Sequence, residues 1–273
     1  GSLMKYFKDE FYKLLDLVKT HEPFAFSRFS DGERTIMKNA KLVLSESYFI
    51  QGDMYGDQPI RAPFPYMEEE RKDFDPSKDS FYREKLMEAY RYKKNNYFKG
   101  IIGYAEWNGN NDFQECLNLY GPDDHKHLTF SNVLINGNYK NFIEEMVPHF
   151  SGRKVIIVCN KNANFDKLPF DVYADFRVGS NCMKNDYTLI NKMKEYIKEQ
   201  KLENCLFLFS AASLSNFLIY ELYKEFDKNQ YIDIGSSLSP LMNLQGWRGT
   251  RVYLRCYWEG EQNPIINQED IWN

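Results

Sequence analysis

The hydrophobic pattern of the second half of the chain predicts an α/β protein. Continuous apolar runs alternate there with stretches whose apolar positions recur at helical spacing. Strands that are apolar on both faces and alternate with helices are typical of a parallel sheet covered on both sides. Residues 151–255 are therefore predicted to form a Rossmann-like half. Its predicted strands are 154–159, 205–209 and 231–235, and its predicted helices are 187–200 and 214–226.

The first half of the chain repeats this alternation less regularly. Apolar positions at helical spacing predict a helix over 6–19, and a strand-like run over 24–29 precedes a predicted helix at 34–41. Residues 45–80 are rich in glycine, proline and charge, which is typical of an irregular insertion or lid. With the helical pattern that follows it, this predicted insertion spans about 45–99. The remaining predicted elements are a strand at 100–104 and two helices around 128–132.

Length and composition limit the classes of protein that this chain can be. A length of 273 residues fits one large domain, which we predict over residues 4–273, because residues 1–3 resemble an expression scar. No apolar run approaches a membrane span, so the predicted location is cytoplasmic. Five cysteines without C-x-x-C spacing argue against a zinc site or a disulfide framework. The net charge of −4 gives no overall attraction to nucleic acid.

An Asp-Gly-Glu sequence follows the first predicted strand and carries the clearest candidate chemistry. Asp31 and Glu33 are one residue apart, so both carboxylates can point at one hard cation, and Arg28 can reach phosphate oxygens on that cation. Mg²⁺ and Mn²⁺ take carboxylate and phosphate oxygens together. The alternative is a polar turn, in which Asp31 caps a helix and Glu33 lies in its first turn.

The ends of the three predicted strands in the second half carry small or amide side chains. Parallel sheets bind ligands outside the carboxyl ends of their strands, and small residues let a ligand approach the backbone. The N-terminus of the helix at 214–226 would attract phosphate. No Walker loop and no G-x-G-x-x-G is present, which disfavours ordinary P-loop and dinucleotide enzymes. The candidate ligand residues here are Asn160, Lys161, Asn162, Ser210, Ala211, Ser213 and Ser236.

Several other charged residues have both a functional and a structural interpretation. Asp233, inside an apolar strand, is either a ligand-facing acid or a paired structural carboxylate. Arg251 lies in a basic and aromatic cluster close enough to the third strand end to help hold a diphosphate. Glu106, beside Trp107, is either a general base or a helix-starting acid. The basic and tyrosine-rich stretch at 83–99 either follows a polyanion or forms a solvated helix face.

The order of these motifs resembles the GT-D fold glycosyltransferases, a family first described through a bacterial domain of unknown function. The resemblance covers about residues 24–255, and each motif is weak when taken alone. Two positions depart from it, because some relatives have His at Ser236 and others have Gly-Pro at Ala212-Ser213. The matching motifs are Ser-Arg-Phe-Ser-Asp-Gly-Glu, Leu-Thr-Phe-Ser-Asn, Val-Ile-Ile-Val-Cys-Asn, Phe-Ser-Ala-Ala-Ser-Leu-Ser-Asn and Asp-Ile-Gly-Ser.

The resemblance implies a metal-dependent enzyme that uses a nucleotide-activated sugar, typically a UDP-sugar. Asp31 and Glu33 would hold Mn²⁺ or Mg²⁺ on the diphosphate, with Ser27 and Arg28 at the same site. Positions 129–132, including Asn132, and 160–162 would line the nucleotide. Positions 210–213 and 233–236 would line the sugar-phosphate side. The insertion at 45–99 is longer than in the smallest members of the family and is expected to shape the acceptor site.

We therefore expect sugar transfer from a UDP-sugar to a hydroxyl group on a glycan or glycoconjugate. Glu106, Asp53 and Asp57 are the candidate bases, and a retaining enzyme would not need such a base in the same way. Three alternatives stay open: glycosylation of a modified DNA base, a non-catalytic nucleotide-sugar binding module, and a metal-dependent phosphohydrolase. Nucleic acid is permitted as a partner by the basic stretch but is not favoured by the net charge.

Overall fold

A computed structural model describes most of the chain and contains two β-sheets. The described residues are 4–61, 67–103, 109–122, 124–267 and 269–272. The strands are β1 (Phe24–Arg28), β2 (Leu42–Leu44), β3 (Tyr48–Gln51), β4 (Ile60–Arg61), β5 (Lys72–Phe74), β6 (Tyr97–Ile101), β7 (Leu128–Phe130), β8 (Val155–Asn160), β9 (Ala174–Val178), β10 (Leu206–Phe209) and β11 (Gln230–Asp233).

Helices of very different length connect these strands. The α-helices are α1 (Phe7–Thr20), α2 (Asp31–Met37), α3 (Gly52–Tyr55), α4 (Ser80–Arg91), α5 (Gly109–Tyr120), α6 (Tyr139–Asn141), α7 (Cys182–Asn185), α8 (Leu189–Gln200), α9 (Ala212–Glu225), α10 (Trp247–Thr250) and α11 (Val252–Glu259). Short 3-10 turns cover Glu68–Glu70, Asn136–Asn138, Val147–Phe150, Ser239–Met242 and Pro264–Asn267, and a π-helical turn covers Phe142–Met146. No described helix has both the length and the apolar character needed to cross a membrane.

Seven parallel strands form the main sheet, in the order β7-β6-β1-β11-β10-β8-β9. Helix α9 lies on one face, where its Tyr223 contacts Tyr231 of β11. The neighbouring Gln230 donates a hydrogen bond to the Leu17 carbonyl of α1 at 2.7 Å. Successive side chains of a strand point to opposite faces, so α1 and α9 cover the two sides of the sheet. This confirms the predicted α/β class with a mostly parallel, doubly covered sheet.

The stretch over 45–80 that was predicted to be irregular contains β3, β4 and β5. These strands pair with β2 in a second, antiparallel sheet in the order β4-β3-β2-β5, here called the small sheet. Its strands have two to four residues, too few for an alternating pattern to stand out from the surrounding glycines, prolines and charges. Asn181 fixes β5, because its amide group donates to the Asp73 carboxylate at 2.9 Å and its backbone N–H donates to the Arg71 carbonyl at 2.8 Å.

Three local predictions also need correction. The strand predicted at 100–104 is β6, which begins three residues earlier, and the segment predicted between two helices at 128–132 contains the edge strand β7. The opposite edge strand, β9, was not predicted, because it alternates between half-buried and exposed positions and lacks an apolar run. Helix α2 begins at Asp31 instead of residue 34, so the Asp-Gly-Glu sequence is its first turn.

Candidate active site

The carboxyl ends of the central parallel strands open into one cavity of about 390 Å³. After β8 the chain continues to β9, toward one edge of the sheet, and after β10 it continues to β11, toward the other edge. Ligands of α/β sheets bind at such a reversal of strand order. Most of the predicted site residues line this cavity. These residues are Arg28, Asp31, Glu33, Asn132, Asn160, Ser210, Ala211, Ser213, Asp233, Ser236 and Arg251.

Three predicted ligand residues lie outside the cavity, and one lies outside the described residues. Ser27 is fully buried, and its hydroxyl oxygen accepts a hydrogen bond from Asn216 at 2.7 Å. Lys161 and Asn162 are exposed to solvent, because the chain turns away from the cavity after Asn160. Glu106 belongs to residues 104–108, which the structure does not describe.

Arg28 lines the cavity and is held there by partners from two strand ends, those of β7 and β11. Its Nε donates to the Ser131 carbonyl at 2.7 Å, and its backbone N–H donates to Asp233 at 3.0 Å. The second oxygen of Asp233 accepts the Gly235 N–H at 3.1 Å. Burial raises the pKa of Asp233 to about 7, although the positive charge of Arg28 acts to lower it. Asp233 therefore holds the backbone of Arg28 and Gly235 in place, and it also lines the cavity.

Gly235 makes room for Arg28, and its replacement by alanine is expected to destabilise the protein. Its φ of +51° disfavours any side chain, and a Cβ atom would overlap the Arg28 guanidinium. We expect Gly235→Ala to lower the free energy of unfolding by roughly 2–4 kcal/mol, measured by urea denaturation. Gly152→Ala is the matched control, since its φ is +78° with nothing within 4 Å of the added carbon. Equal losses in the two variants would show that Arg28 is not fixed there.

Two helix N-termini meet at the cavity and are joined through Glu33. Its two carboxylate oxygens accept hydrogen bonds from the Ser30 N–H of α2 at 3.0 Å and from the Ser213 hydroxyl of α9 at 2.7 Å. The bond to Ser30 is half of a capping box, in which the third helical residue reaches back to the residue before the helix. Glu33 is buried, so its carboxylate holds α2 and α9 together.

Asp31 is the carboxylate of the motif that remains available to a ligand. Its side chain is exposed to the cavity and makes no hydrogen bond or ion pair within the described part of the chain. The concave surroundings reduce its solvation, which raises its pKa, while Arg34 and Lys72 act in the opposite direction. Gly32 leaves space for the Lys72 ammonium group, since a Cβ there would lie 3.1 Å from its Nζ.

The donor atoms around Asp31 fit a divalent cation that is shared with a ligand. Within the ranges that the structure covers, no three His, Cys, Asp or Glu side chains are grouped to hold a metal by themselves. Mg²⁺ and Mn²⁺ commonly bind one or two carboxylates and complete their shell with phosphate oxygens and water. Asp31 fits that pattern, whereas both oxygens of Glu33 already accept hydrogen bonds.

A second wall of the cavity comes from the small sheet, which lies in the insertion that was expected to shape the acceptor site, although none of the wall's residues was named as a site residue. It contains Glu69, Glu70, Arg71 and Lys72, from the 3-10 turn before β5 and from β5 itself. Burial raises the pKa of Glu70, while Arg251 and Lys72 act to lower it. The charged run over 68–75 was visible in the sequence, but nothing in it indicated that this run faces the ends of distant strands.

The other predicted base candidates are not placed for catalysis. Asp53 is buried in an ion pair with Arg34 at 2.6 Å and also accepts a hydrogen bond from the Thr35 hydroxyl at 3.1 Å. It is a structural carboxylate, which contradicts its predicted role as a base. Asp57 does not line the cavity. The cavity carboxylates are instead Asp31, Glu33, Glu69, Glu70, Asp73 and Asp233.

The basic clusters of the sequence are mostly paired or buried. Arg248 and Arg255 form ion pairs with Glu259 and Glu261, at 2.7 and 2.6 Å, so only Arg251 of that cluster lines the cavity. Lys99 is fully buried, its Nζ donates to the Tyr92 carbonyl at 2.7 Å, and burial lowers its pKa to about 7. The buried Lys99 cannot contact a polyanion on the surface, and Lys85 and Lys94 of the same stretch form ion pairs with Glu88 and Asp227, at 3.4 and 2.9 Å.

Comparison with known proteins identifies the fold. No protein-family model matches the sequence, and no curated protein is similar enough to count as a relative. One similar solved structure is a new glycosyltransferase (DUF1792) from Streptococcus sanguinis, with 14% identity, a TM-score of 0.51, and coverage of 87% of this chain and 82% of that one. Another is the highly conserved domain of unknown function 1792, with a distinct glycosyltransferase fold, at the same identity and TM-score and with 87% and 79% coverage. The chain therefore has this glycosyltransferase fold, which confirms the predicted resemblance at the level of fold.

Proposed function

We propose that this protein is a glycosyltransferase that moves a sugar from a nucleotide-sugar, a UDP-sugar by the resemblance, to a hydroxyl group of a glycan or glycoconjugate. The observation that carries the proposal is the cavity itself. Arg28, Asp31 and the N-terminus of α9 meet there, at the carboxyl ends of a sheet whose fold is that of the DUF1792 glycosyltransferase. This set of groups suits an anionic leaving group attached to a neutral sugar.

Transfer would form a bond between the acceptor oxygen and the anomeric carbon of the donor. The bond from that carbon to the phosphate oxygen breaks, and its electron pair leaves with the nucleoside diphosphate. Arg28, Lys72 and Arg251 supply positive charge around the cavity, and the N-terminus of α9 adds unpaired backbone N–H groups. Charges that are fixed before the reaction stabilise the negative charge as it develops on the leaving group.

Asp31 would hold Mn²⁺ or Mg²⁺ together with the diphosphate oxygens. A divalent cation in that position supplies neutralisation of the leaving diphosphate. Glu33 remains a predicted metal ligand, but its hydrogen bonds with Ser30 and Ser213 give it a structural role that requires no metal. It fixes the first turn of α2 and thereby the direction of the Asp31 side chain.

Glu70 is the carboxylate that we assign as general base for the acceptor hydroxyl. It is half-buried on the wall formed by the small sheet, and burial raises its pKa toward the range in which a carboxylate accepts a proton efficiently. The positive charges of Arg251 and Lys72 act in the opposite direction and favour its ionised form. The proton taken from the acceptor would then pass to solvent through the open side of the cavity.

The proposal is tested by measuring melting temperature and donor consumption with a panel of nucleotide sugars, with and without Mn²⁺. A UDP-dependent rise in melting temperature that requires Mn²⁺, with slow release of sugar from one donor, is the expected result. Binding of UDP without any loss of donor would indicate a non-catalytic binding module. Release of inorganic phosphate in place of UDP would indicate a phosphohydrolase. No shift with any nucleotide would contradict the proposal.

A further inference from the structure

A second cavity of about 350 Å³, here called the groove, lies on the small sheet and adjoins the first. Both cavities are lined by Leu44, Arg71, Lys72 and Asp73, so β5 and the end of β2 form the ridge between them. A ligand that occupies the second cavity therefore reaches the edge of the first. The remaining lining residues of the second cavity are Lys41, Val43, Ser45, Tyr48, Phe74, Asp75, Lys78, Asp79 and Lys184.

Five cationic and three acidic side chains line this groove, so positive charge is in excess. Lys184 is the cation that is neutralised, because it forms ion pairs with Asp73 and with Asp79, the latter at 2.7 Å. In the part of the chain that the structure describes, none of the other cations of the groove forms an ion pair. The unpaired cations are Lys41, Arg71, Lys72 and Lys78. A protein with a net charge of −4 thus concentrates free positive charge beside the cavity.

The groove also offers apolar and aromatic surface suited to a sugar ring. Val43 and Tyr48 line it and are half-buried, and Leu44, which also lines it, is buried. Arg61 lies over the Tyr48 ring, with 5.5 Å between its guanidinium carbon and the ring centre, which holds the ring in place. Sugar rings pack their C–H faces on such surfaces, while ammonium and guanidinium groups bind their acidic substituents.

We infer that this groove binds the acceptor and that the acceptor is an anionic oligosaccharide carrying carboxylate, phosphate or sulfate groups. Its role as acceptor site rests on the proposed function, whereas binding of the saccharide does not. The acidic groups of the acceptor contact Lys41 and Lys78 at the outer part of the groove. The hydroxyl group to be modified then lies over the shared ridge, next to Glu70 and the donor.

The groove is less suited to nucleic acid. The carboxylates of Asp73, Asp75 and Asp79 are interspersed among its cations. A continuous phosphate backbone would bring like charges against these carboxylates, which costs binding energy. Oligosaccharides with spaced acidic groups avoid that repulsion.

Binding of defined oligosaccharides, followed by calorimetry at low salt without any donor, tests the inference. The probes are a heparin hexasaccharide, an oligogalacturonate, a phosphorylated oligomannose, the neutral maltohexaose and a 12-nucleotide single-stranded DNA. We expect at least one anionic saccharide to bind more tightly than both maltohexaose and the DNA. Lys41→Ala/Lys78→Ala should weaken that binding by about 100-fold, at roughly tenfold for each lost charge-assisted hydrogen bond. Lys192→Ala/Lys198→Ala, which removes two exposed lysines of α8, is the matched control and should bind normally.

Each other outcome overturns the inference. These outcomes are absence of binding by every probe, equal or tighter binding of maltohexaose or of DNA, and an unchanged affinity in the Lys41→Ala/Lys78→Ala variant. The UDP and donor-consumption assays separate this test from the proposed function. If the protein binds an anionic saccharide but neither binds UDP nor consumes a donor, the groove is a saccharide-binding site and the proposed transferase function is wrong.

Discussion

Replacement of Asp31 by asparagine is expected to reduce sugar transfer by roughly 100- to 1,000-fold, the usual effect of removing one fixed electrostatic contact to a developing charge. The substitution keeps the size of the side chain and removes its negative charge. Because Asp31 is exposed to the cavity and has no described hydrogen-bond or ion-pair partner, the free energy of unfolding should change by less than about 0.5 kcal/mol. Steady-state kinetics against Mn²⁺ concentration and urea denaturation measure the two quantities.

Asp9→Asn is the matched control, since Asp9 is an exposed acid in the first turn of α1 and does not line the cavity. It should leave transfer and its Mn²⁺ dependence unchanged. Glu33→Gln should behave differently from Asp31→Asn, because a carboxamide cannot accept from both Ser30 and Ser213 in the same way. We expect that variant to lose about 1–3 kcal/mol of stability. Full activity in the Asp31→Asn variant would show that Asp31 takes no part in sugar transfer.

The main sheet could be predicted because its signal is local. Strands such as 155–160 and 206–209 are buried along their whole length, so hydrophobicity alone marks them. Their polar ends then indicate which side of the sheet carries a site, since parallel strands bring their carboxyl ends together. Asn160, Ser210 and Ser236 were found by that argument, and all three line the cavity.

The second wall of the cavity could not be predicted in this way, because its position depends on contacts between distant parts of the chain. Strand β5 has three residues, and Asn181 attaches it from more than 100 positions away. A run such as Glu68-Glu69-Glu70-Arg71-Lys72 has the composition of a solvated loop. Its position beside the main sheet depends on this attachment and on the pairing of β5 with β2. The acceptor side of the site is therefore where the sequence was least informative.

The Asp-Gly-Glu motif shows that a structural and a functional interpretation can hold for one short segment. The alternative interpretation placed Glu33 in the first turn of the helix, where it lies, but gave the cap to Asp31, whereas the N-cap of α2 is Ser30, whose backbone N–H donates to Glu33. Asp31, two residues earlier, lies on the open side of the same turn and faces the cavity. The sequence suggested two equivalent carboxylates, whereas the fold gives them different surroundings. Their replacement is therefore expected to affect activity and stability differently.

Replacement of Glu70 by glutamine is expected to lower kcat/KM for transfer by about 100-fold or more, within the range that general bases contribute. The base must be ionised, so the rate of the unmodified enzyme should rise with pH through the Glu70 pKa, which burial places above its ordinary value. That rise should be absent in Glu70→Gln. Asp233, with a pKa of about 7, remains in both proteins, so a rise near neutral pH that persists in the variant belongs to Asp233 or to Asp31.

Glu68→Gln is the matched control, because Glu68 lies in the same 3-10 turn but is exposed and outside the cavity. It should keep the rate and the pH profile of the unmodified enzyme, and the affinity for UDP should be unchanged in both variants. The configuration of the product provides an independent check, since a single base acting on the acceptor requires inversion at the anomeric carbon. A retained configuration, or equal rates in Glu70→Gln and Glu68→Gln, would show that Glu70 only shapes the cavity wall.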